Sequence, residues 1–473
     1  SDSSIPDTIT DIDLLYTFDG TLANELIAAY ADNYFEYDGD KRVTKEIARG
    51  AGCSCGSNGG AGQYEYSYSL NANYVPGTTQ TDHNKWKNKT IETFKADVGG
   101  TLKTQFTNYV YTNFAGAVVL KVYSDGANSW ATANRYDESG KLIFAAEPSA
   151  VSITTADLTT SGIEANDDLL GYSTSTGGYS KLNDSSGLIH RYGYYRDESN
   201  TIGDTVAGAA KDKLGYMAEQ RGDLTDVRTI TSITQSSSTS VATVSGAAHA
   251  YSVGDLVSIW DASSSFYNGT FVISAVTSST FSFEADSGAP DSLTGVTFHA
   301  LRPEAITATS YFKHEHAGVS VYPTAKETRF SGTGQTGDEE TSYAYTFFDA
   351  GASFGIESVV VTRPGVTVAK NGSGSADRQE TTIFDEFGRT IWEKYGGGFI
   401  TYTEYDIATG GVKKVIQDVD HTAVSNEPSG WTTPSGGGKH LITLADVDAF
   451  GRQTKIQHAS GNVDYIVYDD VHE

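Results

Sequence analysis

Read for its hydrophobic and polar positions, the chain is a succession of short stretches with a period of two. Tyr64, Tyr66, Tyr68 and Leu70 alternate with small or polar residues, which places the large side chains on one face of an extended strand. Strand-like runs continue over 86–94, 102–106, 110–114 and 118–123, and alternation returns in Thr341-Ser342-Tyr343-Ala344-Tyr345-Thr346-Phe347-Phe348, with 356–361 as its partner. Asn113-Phe114-Ala115-Gly116, Ser124-Asp125-Gly126 and Pro364-Gly365 punctuate them as turns. Helical spacing appears in Leu22, Leu26, Ala29 and Tyr30, with Thr21 as N-cap, so a short helix is expected over 21–31. A second short helix is expected around Ala156-Asp157-Leu158.

One unit recurs: an extended run ending in Asp, a tight turn containing Gly, a basic residue and another extended run. It is spelled Tyr136-Asp137-Glu138-Ser139-Gly140-Lys141-Leu142-Ile143 and Phe384-Asp385-Glu386-Phe387-Gly388-Arg389-Thr390-Ile391. Further copies are Tyr405-Asp406 running to Gly410, Val447-Asp448-Ala449-Phe450-Gly451-Arg452, and Tyr37-Asp38-Gly39-Asp40-Lys41. These are β-hairpins by chemistry. The carboxylates of Asp38, Asp137, Asp385, Asp406 and Asp448 can accept backbone N–H groups, and Gly140, Gly388 and Gly451 can take the positive-φ place. A hairpin cannot bury its own apolar face, so its recurrence predicts an array of hairpins packed on their neighbours.

The Tyr-Asp-x-x-Gly-Lys/Arg-Leu/Ile pattern resembles the YD repeat of the RHS family, found in bacterial RHS-repeat shell proteins and in teneurins. That resemblance implies an all-β fold in which hairpins form a large curled or spiralling sheet, part of a shell. The autoproteolytic motif of toxin-carrying members, with its Asp-Pro step, has no counterpart here, so self-cleavage is not implied. The repeats are degenerate: Phe384 and Val447 stand where Tyr is usual.

Between about 229 and 301 the texture changes to Ser, Thr and Val, with short strands over 239–244, 256–260, 270–276, 280–284 and 296–299. Such a stretch is long enough for a small β-barrel or sandwich. His249-Ala250-Tyr251-Ser252-Val253-Gly254-Asp255, followed by Tyr267-Asn268-Gly269-Thr270-Phe271, resembles small β modules of phage tail and bacterial surface proteins. The expected organisation is therefore a sheet-forming part over 1–228, an inserted β domain over 229–301, and the rest of the repeat sheet over 302–473.

Composition narrows the function. The 473 residues include 50 Gly, 29 Tyr and 20 Phe, and the formal charge of -27 disfavours nucleic acid and anionic membranes. No apolar run approaches the ~20 residues that cross a bilayer. Cys53 and Cys55 lie one residue apart in a Gly-rich stretch. Free thiols, a local disulfide, a link to another chain or a metal site with His83 all remain open. His314-Glu315-His316 could put two imidazoles on one strand face, as surface histidines or as half of a metal site. Asn88-Lys89-Thr90, Asn268-Gly269-Thr270 and Asn371-Gly372-Ser373 fit the glycan-acceptor pattern. Gly332, Gly334 and Gly337 precede a strand rather than a helix, failing the dinucleotide-binding context.

Tyr192, Tyr194 and Tyr195, flanked by Arg191 and Arg196, and Trp260 in the inserted domain are the candidate partner-binding aromatics. No nucleophile–base motif, cofactor fingerprint or complete metal set is spelled, so no catalytic, cofactor or metal residue is assigned. The leading expectation is a non-enzymatic structural or shell-forming segment, extracellular or at the cell surface, working with neighbouring repeats or other protomers. The chain stops at a further Tyr-Asp step, Tyr468-Asp469, which suggests a piece of a longer polypeptide. A carbohydrate- or protein-binding adhesin module is the second reading. The third is a polysaccharide-acting enzyme, which an aromatic groove holding two facing carboxylates would favour.

Overall fold

The computed structural model describes residues 33–48, 62–75, 80–99, 101–173, 178–183, 187–195, 213–220, 228–236, 239–244, 249–260, 262, 264–285, 289–332, 336–365 and 378–468. The helix expected over 21–31, Cys53, Cys55 and Asn371 lie outside them. Among the described residues the fold is all-β, antiparallel throughout, with no α-helix. The chain divides into two units, 1–193 with 218–304, and 194–217 with 305–473.

In the first unit, β1 (Asn33–Tyr37), β2 (Val43–Ala48), β3 (Gly62–Leu70), β4 (Asn88–Asp97), β5 (Leu102–Thr112), β6 (Val118–Ser124), β7 (Ser129–Tyr136) and β8 (Leu142–Ala146) pair in order as a meander. The short β9 (Tyr172–Ser173) and β10 (Gly178–Tyr179) pair with each other, and β11 (Ile189–Tyr194) extends the meander along β8. One sheet face carries Tyr111, Leu120, Val122, Ala131, Ala133 and Phe144, all buried. The connection after β8 folds over it and adds Ile153, Leu158, Ile163, Leu169 and Leu170. Where the sequence suggests a helix around Ala156, this connection makes two 3-10 turns, Thr155–Asp157 and Ile163–Ala165. The Asp157 carboxylate accepts both Thr154 N–H (2.8 Å) and the Thr154 hydroxyl (3.0 Å), a local bond that competes with helix propagation.

After β12 (Leu214–Gln220), the strands β13 (Arg228–Ser236), β14 (Thr239–Val244), β15 (Leu256–Trp260), β16 (Gly269–Val276), β17 (Thr280–Glu284) and β18 (Ser292–Leu301) close a barrel in the order β13-β14-β17-β16-β15-β18. Ile230, Ile233, Ile259, Tyr267, Phe271, Ile273, Phe281 and Phe283 fill it, so it has its own core. Closure leaves none of its strands with an open edge.

In the second unit, β19 (Glu304–Tyr311) pairs with β22 (Thr324–Gly332), across the small hairpin of β20 (His314–His316) and β21 (Val319–Val321). The meander then runs through β23 (Thr336–Phe347), β24 (Ile356–Arg363), β25 (Arg378–Phe384), β26 (Thr390–Lys394), β27 (Ile400–Tyr405), β28 (Val412–Gln417), β29 (Leu441–Val447), β30 (Gln453–Gln457) and β31 (Val463–Tyr465). Ile383, Trp392, Tyr402, Ile416 and Ile442 stand in register across five strands. The excursion between β28 and β29 lays Val424 and Trp431 over that row.

Candidate functional site

The repeated turns are the most elaborate local chemistry in the molecule. Asp385 Oδ1 accepts N–H from Phe387 (3.0 Å) and Arg389 (2.9 Å), while Oδ2 takes Arg389 Nε (2.8 Å) and Nη2 (2.7 Å). Asp448 holds Phe450, Arg452 and its guanidinium in the same way, and Asp38 holds Asp40 and Arg42. Backbone bonds close each turn, with Gly388 N–H donating to Asp385 O (2.9 Å) and Gly451 N–H to Asp448 O (3.0 Å). Gly140, Gly388 and Gly451 have φ of 80°, 77° and 80°. In the first copy the left-handed place falls two residues after its glycine. Lys41, not Gly39, takes the left-handed place at φ 63°, and Arg42 is the clamping cation.

The other copies vary the clamp. Asp137 accepts Ser139 and Lys141 N–H at 2.9 Å each, with Lys141 Nζ farther off at 3.8 Å. Asp406 has no arginine, and the Thr409 hydroxyl (2.8 Å) takes that place. The carboxyl of Asp406 is held below its usual range by the Thr409 hydroxyl and then its N–H, that of Asp38 by the Arg42 N–H and then its guanidinium. For Asp385 and Asp448, desolvation pushes upward, and the bonds from Arg389 and Arg452 more than offset it.

Each arginine clamp reaches the next hairpin. The Arg389 guanidinium lies 4.6 Å from the centre of the Tyr405 ring, and the Tyr405 hydroxyl donates to Thr390 O at 2.9 Å. Arg42 with Tyr68 and Arg452 with Tyr468 repeat this at 4.6 Å and 4.2 Å, with hydroxyl bonds to Val43 O and Gln453 O. The hydroxyl bond survives where the Asp-Gly-Arg signature has decayed: Tyr136 to Val118 O, Tyr311 to Leu214 O and Tyr345 to Thr324 O. The bond itself is not written in residue spacing, because one partner is a backbone carbonyl and the strands are up to 97 residues apart.

Of the candidate binding aromatics, Tyr195 and Trp260 are buried and Tyr192 and Tyr194 half-buried. The Tyr195 hydroxyl donates to Thr309 O (2.8 Å). Trp260 covers Arg191, whose guanidinium lies 5.1 Å from its ring and 4.8 Å from that of Phe144, and donates to Gln220 Oε1 (2.7 Å). The structure therefore does not gather these four residues on one open surface.

His314 is stacked on Phe347, with Nε2 at 2.8 Å from Ser353 O, and both His314 and His316 rings lie against Phe354. No group of three or more metal-ligating side chains occurs among the described residues. The Asn268 amide is engaged at both ends by the Ala262 backbone.

Sequence reasoning missed a buried cluster. Lys89 Nζ (2.5 Å) and the Tyr111 hydroxyl (2.7 Å) meet on Glu164 Oε1, pinning the connection after β8 to the sheet. Burial, and then Glu164, push the Tyr111 phenol far up. The signal lay in strand parity: Lys89 shares its face with Ile91, a charge at an apolar position.

No protein-family model matches the sequence, and no curated protein does. Among solved structures the chain is similar to chains of TcdB2-TccC3-Cdc42, at 11% identity and a TM-score of 0.20 over 90% of this chain and 18% of that one. For TcdB2-TccC3 without its hypervariable C-terminal region the values are 11%, 0.23, 93% and 22%. For TcdB2-TccC3 they are 9%, 0.19, 99% and 24%. The chain thus spans a quarter or less of the length of the chains it matches, and at such scores the likeness assigns no family.

Proposed function

We propose that this chain is a non-enzymatic structural segment of an RHS-like, YD-repeat protein, extracellular or at the cell surface. In this reading it builds a wall with neighbouring repeats or other protomers. The observation that carries it is the clamp. The aspartates and arginines of the repeat bond to one another and to the adjacent hairpin, leaving their charges engaged in holding strand to strand.

A wall built this way grows at its edges. β31 pairs with β30, and among the described residues no other strand lies against it. Tyr465 and Val467 are exposed there. Unpaired N–H and C=O groups on such an edge favour a further strand. The test is electron cryomicroscopy of the native particle containing this chain, with expected density for another strand alongside 463–465. An exposed edge in the native particle, together with saccharide bound between two facing carboxylates elsewhere, would overturn the structural reading in favour of an enzyme.

A further inference from the structure

The sheet face of the first unit opposite its core carries a row that the clamp does not use. Cross-strand registers place Tyr66, Glu92, Asn108, Tyr123 and Trp130 directly opposite one another on β3 to β7. At the usual strand spacing, the four members from Glu92 to Trp130 extend about 14 Å. Asn108 Nδ2 donates to Glu92 Oε1 at 2.8 Å, and the Tyr66 hydroxyl lies 3.3 Å from a second carboxylate, Glu46 Oε2. At the other end the Tyr123 and Trp130 rings stand 5.6 Å apart and are 37% and 42% exposed. An aromatic stack continues behind them through Phe106, Phe94 and Tyr64. Adjacent positions on the reverse face, such as Val122 and Ala131, are fully committed to the core, so burial of a core does not require these rings.

We propose that this row docks a basic polypeptide segment, with guanidinium or ammonium groups laid on Tyr123 and Trp130 and drawn to Glu92 and Glu46. Charge complementarity selects the occupant: the row has carboxylates at one end and open aromatic faces at the other, on a chain of formal charge -27. The turn clamps show what this combination holds, since there a carboxylate and a Tyr ring grip an arginine of the chain itself. Lys121, exposed in the neighbouring register row on β6, opposes the docking.

The test uses the full chain and acetylated dodecapeptides of alternating Arg and Gly, Lys and Gly, or Glu and Gly, with cellohexaose as the saccharide probe. Titration calorimetry at about 0.1 M salt, where the screening length is ~10 Å, should show binding of the Arg and Lys peptides only. Trp130→Ala and Glu92→Gln should each weaken it about tenfold or more, Trp130→Phe should retain it, and Lys121→Glu should strengthen it. Equal binding by wild type and Trp130→Ala would mean diffuse attraction to an acidic surface and would overturn the proposal, as would no binding or a preference for cellohexaose. Each variant is checked by circular dichroism and melting temperature. The outcome is separable from that of the structural reading, which is decided at β31 in the other unit.

Discussion

Three glycines in neighbouring turns of the second unit separate two costs that usually arrive together. Gly388 has φ 77°, and a Cβ added there would meet nothing within 4 Å. Only its left-handed backbone resists substitution, at roughly 1–2 kcal/mol for an L-residue. Gly411 lies outside the positive-φ range, but its Cβ would fall 2.5 Å from Gly451 O and 3.0 Å from Val447 Cγ1. That contact presses one turn on the next, and overpacking of this kind costs roughly 1–3 kcal/mol. Gly451 combines both, with φ 80° and a Cβ 3.0 Å from Thr409 O. The expected order of destabilisation is thus Gly451→Ala, at about 2–5 kcal/mol, above either Gly388→Ala or Gly411→Ala. Gly388→Asn should recover much of the loss, because Asn tolerates the left-handed region. Peptide-resolved amide hydrogen exchange across a urea series reads the effect locally in β26, β28 and β30. If Gly388→Ala and Gly451→Ala agree within about 0.5 kcal/mol, the turns do not press on one another as described. A Gly388→Ala variant as stable as wild type would refute the left-handed turn itself.

Four further outcomes are expected. Residues 228–304 expressed alone should give a dispersed NMR spectrum and one cooperative transition, because the barrel closes on its own core. In the intact chain, Arg191→Met should loosen the barrel by about 1–3 kcal/mol by removing the guanidinium's bond to the buried Gln220 carbonyl, seen as faster exchange in both β15 and β8. Acid should weaken the turns. The folded carboxyls of Asp38, Asp385, Asp406 and Asp448 lie below their unfolded value of about 3.9. Their contribution is complete above that value and is lost as pH falls through the lower folded values. Melting temperature should drop below about pH 4, and less steeply in the double variant Asp385→Asn/Asp448→Asn; an unchanged acid limb would count against the clamp. Finally, Tyr345→Phe should cost about 0.5–1.5 kcal/mol by removing the 2.7 Å bond to Thr324 O, measured by chemical denaturation, whereas Tyr37→Phe at an exposed site should be neutral.

What the sequence determined by itself is what depends on near neighbours. The bonds of Asp385 reach residues two and four along, so Asp, Gly and Arg at those offsets announce the turn before any fold is known. Alternation did the same for β3 and β23, where Tyr64, Tyr66, Tyr68, Tyr343 and Tyr345 all lie on strands. Tertiary structure decided which face of a strand is inside. β6 carries a large aromatic ring on one face, Tyr123, and Leu120 and Val122 on the other. Only the connection after β8, folding over Leu120, makes that side the core. The same dependence on distant partners explains the aromatics. Arg191, Tyr192, Tyr194 and Tyr195 read as text fit either an exposed cluster or a packed rung of the sheet; the fold covers Tyr195 because its hydroxyl finds Thr309, and sets the barrel's Trp260 on Arg191. Hydrogen bonds within a turn are written in residue spacing, whereas burial belongs to a surface that exists only once strands far apart in the chain have met.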